Sequence, residues 1–126
     1  MKIDQLENDQ TELLLPVADW DMCYAAIHNG ADAIYIGVPS FNARGRSQDL
    51  DFDELKEMIN VSHLYGVKVY LALNIVVFQR ELTHVVCLLE SIIPMGADAF
   101  IVQDLGLAYL LYRYFPEQRV HASTQM

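Results

Sequence analysis

The chain has 126 residues, enough for one domain with a core of its own. Hydrophobic residues make up 53%, which excludes a disordered chain, and no apolar run approaches the roughly 18–20 residues that span a bilayer. The formal net charge is −9, with only 8 Lys and Arg, which argues against this chain by itself gripping nucleic acid, where cations make most phosphate contacts.

Residues 1–11 read as a flexible polar leader without the apolar core of a signal peptide, which points to the cytoplasm. Leu13–Val17 is a short continuous apolar run, suited to a strand buried on both faces. Asp19 then reads as a helix N-cap, with Met22, Ala25, Ala26 and Asn29 on one helical face and Gly30 closing the helix. Ala33–Val38 is the second strand. The stretch Pro39–Asp51 has no periodicity and reads as a loop carrying Asn42, Arg44 and Arg46. Asp51 starts a second helix, in which Phe52, Leu55, Ile59 and His63 recur at helical spacing, and Gly66 ends it. Val67–Val77 is a long apolar run containing Asn74. Glu81–Met95 reads as the third helix, Ala99–Val102 as the fourth strand, Gly106–Phe115 as the fourth helix and Arg119–Gln125 as a fifth strand.

A short phrase recurs through this order. Asn29–Gly37 reads NGADAIYIG, Met95–Gln103 reads MGADAFIVQ, and Tyr65–Leu73 is a weaker copy, YGVKVYLAL. Gly30, Gly66 and Gly96 are 36 and 30 residues apart, room for one strand, one helix and two loops. A βα unit repeated at that period predicts a parallel sheet with helical crossovers. The chain, residues 12–126, then holds about four and a half βα units, the N-terminal half of a TIM-like barrel, since a closed (β/α)₈ barrel needs about 200 residues or more. The rival is an open flavodoxin-like sheet of five strands, complete at this length.

In either fold, polar residues at the carboxyl ends of the strands face the ligand. Arg44 and Arg46 suit a carboxylate or phosphate through forked hydrogen bonds, or else belong to a solvated loop. Asn74, inside an apolar run, is a site group or an amide satisfied by a neighbouring strand. Gln103 and Asp104 follow the fourth strand directly, and Asp104 either faces the site or caps the next helix. His121, Ser123 and Gln125 alternate onto one face of the last strand, which makes His121 a candidate proton donor or acceptor, or else a hydrogen-bonded core histidine. Cys23 and Cys87 fall in helix-like segments and read as buried thiols rather than metal ligands, and no cofactor motif is evident in this chain. His28, His63 and His84 sit on predicted helices as surface or packing residues. GxSxG, GxGxxG and HExxH are all missing.

The segments ELLLPV at Glu12–Val17, FNARGR at Phe41–Arg46, YGVKVYLALN at Tyr65–Asn74, GADAFIVQDLG at Gly96–Gly106 and VHASTQM at Val120–Met126, with the repeat, resemble the N-terminal part of the collagenase-like peptidase family U32. The resemblance implies a TIM-like barrel. It implies a peptidase by name, or, in other branches, a hydroxylase of ribosomal or transfer RNA bases or of the ubiquinone ring. Prephenate is the implied hydroxyl donor of the RNA-modifying branches. An iron–sulfur cluster, held by cysteines mostly downstream of this region, is implied for several. Catalytic roles then fall to His121 and Asp104, and substrate contacts to Asn42, Arg44, Arg46, Asn74, Gln103, Ser123 and Gln125. RNA would bind only through parts absent from this chain. A third reading is a partner-dependent, non-catalytic domain that docks through its open strand edge.

Overall fold

The computed structural model describes residues 11–38, 51–73 and 82–122. Five strands alternate with four helices: β1 Leu14–Val17, α1 Trp20–His28, β2 Ala33–Gly37, α2 Phe52–Leu64, β3 Lys68–Leu73, α3 Leu82–Ile92, β4 Ala99–Val102, α4 Leu105–Tyr114 and β5 Val120–Ala122. A 3₁₀ turn, Ile93–Met95, follows α3.

Three aspartates start helices. The side chain of Asp19 accepts from Met22 N at 2.8 Å, Asp51 from Glu54 N at 2.7 Å and Asp104 from Leu107 N at 2.9 Å. Each satisfies a backbone donor that the first helical turn leaves open. Gly30 and Gly66 end α1 and α2 with positive φ, 84° and 75°, a region that disfavours a side chain. There the chain folds back so that Ala31 N donates to Ala26 O at 3.0 Å and Val67 N to Ser62 O at 2.9 Å. These bonds close the last carbonyls of each helix and aim the chain into the next strand.

All five strands are parallel and run in the order β1-β2-β3-β4-β5. This sequential order is that of a (β/α)₈ barrel wall. It excludes the flavodoxin-like alternative, whose order 2-1-3-4-5 reverses direction at a switch point. With every crossover of one hand, sequential order sets all the helices on one face of the sheet.

The burial pattern agrees. Ile34, Ile36, Val69, Leu71, Leu73, Phe100 and Val102 alternate onto the helix-covered face and are all but fully buried. They pack with Cys23, Ala26, Leu55, Met58, Ile59, Val85, Leu89, Ile92, Leu107 and Leu111 of the helices. The other face carries half-buried Tyr35, Tyr70, Ala72 and Ile101, and exposed His121.

Three expectations need correction. β1 is not buried on both faces: Leu14 and Pro16 are exposed and Val17 alone is fully buried, because β1 pairs only with β2 and one of its faces is uncovered. The inward face of α1 is Cys23, Ala26 and Ile27, one position on from the set read from sequence, and Met22 points to solvent. Of the two thiols, Cys23 is buried and Cys87 is exposed on α3.

The repeated phrase has a structural explanation at the amino ends of the strands. Asp32 lies level with Leu13 of the neighbouring chain segment. Its N–H donates to Leu13 O at 2.9 Å and its Oδ2 accepts from Leu13 N at 2.8 Å. Asp98 repeats this on Val69: Asp98 N donates to Val69 O at 2.8 Å and Oδ2 accepts from Val69 N at 2.7 Å. The Gly turns the chain and the Asp clasps both backbone groups of the residue opposite. In the weaker copy Lys68 stands in place of the aspartate and cannot accept. It joins its neighbour by the backbone alone, with Lys68 N donating to Asp32 O at 3.1 Å.

Candidate functional site

The strand register builds one edge. Gly37 pairs with Ala72, Leu73 with Val102, and Val102 with Ala122, so β3, β4 and β5 end level with one another and β2 ends one residue short. Gln103 leaves the sheet at that edge. Asn42, Arg44, Arg46, Asn74, Ser123 and Gln125 lie outside the described residues. Of the other candidates, Gln103 and Asp104 are half-buried where β4 leaves the sheet, and His121 is exposed on β5.

Asp104 takes the capping alternative: its Oδ1 accepts from Leu107 N. The glycine two residues on is explained by that cap. A Cβ on Gly106 would sit 2.9 Å from Asp104 Oδ1, closer than real contacts allow, and the short aspartate side chain has little room to yield. The phrase Gln103-Asp104-Leu105-Gly106 therefore encodes a tight strand-to-helix turn, and it holds Gln103 at the carboxyl edge.

His121 stands opposite Ile101 on the uncovered face. Its ring packs against Tyr70, centroids 5.7 Å apart and planes 54° apart. The Tyr70 hydroxyl donates to Glu12, 3.1 Å from Oε1 and 3.4 Å from Oε2. Sequence reading missed Tyr70 and Glu12. The available signal was period two: Tyr70 alternates with Val69 and Leu71 and so faces away from the helices.

A cavity of about 300 Å³ opens at the other, amino end, lined by Lys68, Tyr70, Asp98, Glu117 and Arg119 among others. In a parallel βα array that end serves stability rather than chemistry.

The model of peptidase family U32 matches residues 18–126. The chain belongs to that family. Among its relatives, the 23S rRNA 5-hydroxycytidine C2501 synthase of Escherichia coli is 36% identical over 95% of this chain and 18% of its own length. The tRNA hydroxylation protein P of the same species is 35% identical over 90% of this chain and 25% of its own. An uncharacterized protease of Methanocaldococcus jannaschii is 39% identical over 90% of this chain and 28% of its own. The U32 chain thus spans roughly a fifth to a quarter of the length of these relatives.

The thiols of this U32 chain do not fit an iron–sulfur cluster. Such a cluster takes about four cysteine ligands, and the chain has two cysteines. Cys23 Sγ is buried 3.8 Å from Ser62 Oγ on α2, while Cys87 is exposed on α3. Among the described residues, no group of three His, Cys, Asp or Glu could hold a metal ion. No described helix is long and apolar enough to cross a membrane.

Among the described residues, two groups have shifted titrations. Burial pushes the Cys23 thiol up, partly offset by its hydrogen bond to Ser62. Burial also raises the Tyr70 phenol, helped by its hydrogen bond to Glu12 and by the negative charges of Glu12 and Asp98. A group raised in the folded state is fully stabilising below its unfolded pKa. That stability is lost as pH climbs through the folded value. The thermal midpoint is therefore expected to be flat near neutrality and to fall from about pH 8.5–10 upward, the ordinary range of thiol and phenol. Cys23→Ala should flatten part of the fall; a midpoint that is level across that range in both proteins would contradict the assignment.

Proposed function

We propose that this chain is the amino-terminal βα segment of a U32 protein that hydroxylates a base of transfer or ribosomal RNA in the cytoplasm, with prephenate as hydroxyl donor. The observation that carries this is the alignment of nearly the whole chain with two relatives named as RNA-hydroxylating proteins. The geometry supports it through a parallel wall in strand order β1-β2-β3-β4-β5, with Gln103 at its carboxyl edge.

Arg44 and Arg46 supply forked donors for the carboxylates of a dicarboxylate anion. Asn42, Asn74, Gln103, Ser123 and Gln125 supply neutral donors and acceptors that orient it. His121 carries a proton. Asp104, committed to its cap, fixes the turn that presents Gln103. The net charge of −9 favours an RNA-gripping surface supplied by polypeptide outside this chain, and the count of two cysteines favours the same for any cluster ligands. The 39% identity to a protease favours a second reading, a collagenase-like peptidase.

The test is mass spectrometry of nucleosides from transfer and ribosomal RNA in a strain lacking the gene. A hydroxylated nucleoside should disappear and return with the wild-type gene. It should return about tenfold or more weakly with Arg44→Ala or His121→Gln, the scale of a lost charge-assisted contact or acid–base group. Unchanged nucleosides in the deletion strain would sink the hydroxylase reading. Gelatin cleavage by the purified protein that is lost in His121→Gln would install the peptidase in its place.

A further inference from the structure

One line of side chains crosses the uncovered face of the sheet. Glu12 comes from the segment just before β1, Tyr70 from the middle of β3 and His121 from β5. Tyr70 touches both of the others: its hydroxyl donates to Glu12 at 3.1 Å, and its ring lies 5.7 Å from the His121 ring. We propose that Tyr70 is a positioning residue for His121, and that Glu12 is the anchor that holds Tyr70 in place. This rests on the reading of His121 as a site residue.

His121 is exposed and sits on a three-residue strand that, among the described residues, pairs on one side only, with β4. Such a side chain has several rotamers open to it unless something fills the space beside it. The Tyr70 ring fills that space, and its tilted contact favours one imidazole orientation over the others. A tyrosine ring is a firm support only if its own χ angles are fixed. The backbone of β3, hydrogen-bonded on both sides, fixes one end of the residue, and the Glu12 carboxylate, reached by both oxygens, fixes the other. Removing the hydroxyl alone keeps the ring and its area but releases the anchored end. Removing the Glu12 carboxylate does the same from the other side.

The same contacts make Tyr70 the only described aromatic ring in contact with His121. They place the imidazole within the sheet face rather than out on the loop edge, below the level at which Gln103 leaves β4. A proton carried by His121 would then be delivered from the sheet face, below the level of Gln103.

The test joins a spectroscopic readout to a functional one in the full gene product. The His121 ring signals are assigned by their loss in His121→Gln. Tyr70→Leu should move those signals and leave the other histidine signals in place. Tyr70→Phe and Glu12→Ala should each give a smaller change of the same kind. In the RNA-nucleoside assay, Tyr70→Phe and Glu12→Ala should each lower the hydroxylated product about tenfold. The double variant should be no worse than either, and Glu12→Gln, which keeps an acceptor oxygen, should restore most of it. A support role in folding alone would show additive losses that follow the thermal midpoint, with no rescue by Gln. His121 signals unmoved in Tyr70→Leu would overturn the proposal. If they move while His121→Gln leaves RNA hydroxylation intact, the positioning contact stands and the functional reading of His121 fails.

Discussion

Phe100→Ala should cost about 3–5 kcal/mol of folding stability, the usual range for emptying a buried aromatic site. Phe100 is fully buried in the middle of β4, level with Leu71 of β3 on one side and Val120 of β5 on the other. Its ring is therefore held where sheet and helices meet, and the helices on that side cannot collapse into the gap without breaking the strand register. Against a total of roughly 5–15 kcal/mol for a domain, the loss is about a fifth of the whole or more. The control is its neighbour. Ile101 is next in sequence but half-buried on the uncovered face, so Ile101→Ala should cost well under half as much. Urea unfolding of the two variants measures the difference, provided the slope of each transition stays at the wild-type value. Equal losses would mean that both faces of β4 are packed alike, and the one-sided sheet described above would be wrong.

That contrast between neighbouring residues also marks what the sequence could and could not reveal. The βα period was legible because it is local. Gly30, Gly66 and Gly96 each end a helix, and the apolar run after each is a strand. The aspartate caps were legible for the same reason: Asp19, Asp51 and Asp104 bond three residues ahead. Strand order was not legible. Barrel wall and flavodoxin-like sheet are built from the same units, and only pairing between distant segments separates them. The same limit hid the face of β1, since a continuous apolar run looks identical whether one of its faces or both are covered.

The candidate site divides along the same line. Gln103 and His121 could be nominated from position alone, at a strand end and in a period-two pattern. The partners of His121 could not. Glu12 and Tyr70 are 58 residues apart and meet only because β1, β2 and β3 are adjacent. The capping role of Asp104 was one of two readings that the sequence left open, and the bond to Leu107 N supports that one. Cys23 and Cys87 looked alike in sequence, both mid-helix, yet one faces Ser62 across the α1–α2 contact and the other faces solvent.

The repeat itself supplies the second large effect. Asp98→Ala should destabilise the fold by about 2–3 kcal/mol, because the Val69 N–H loses the carboxylate oxygen to which it donates at 2.7 Å. Val69 lies in the middle of the sheet with a fully buried side chain, so water cannot readily replace the lost partner. Asp98 also meets His63 Nε2 at 2.8 Å, which raises a rival account in which the pair with histidine is what matters. Three further variants separate the two. His63→Ala removes the pair but keeps the clasp. Both side chains are more than one-third exposed, so solvent screens the pair and the loss should stay below about 1 kcal/mol. Asp98→Asn keeps a carbonyl oxygen for Val69 N and should cost less than Asp98→Ala. Asp32→Ala breaks the equivalent clasp on Leu13, but at an exposed edge where water can stand in, so it should fall between the two, at about 1 kcal/mol. The order Asp98→Ala, then Asp32→Ala, then His63→Ala in thermal or urea midpoints is the expected result. A His63→Ala loss as large as that of Asp98→Ala would assign the aspartate to the ion pair. Short of that, the recurring Gly-Ala-Asp is a device for locking one strand to the next at the amino end of the wall, and it leaves the carboxyl end free to vary its chemistry.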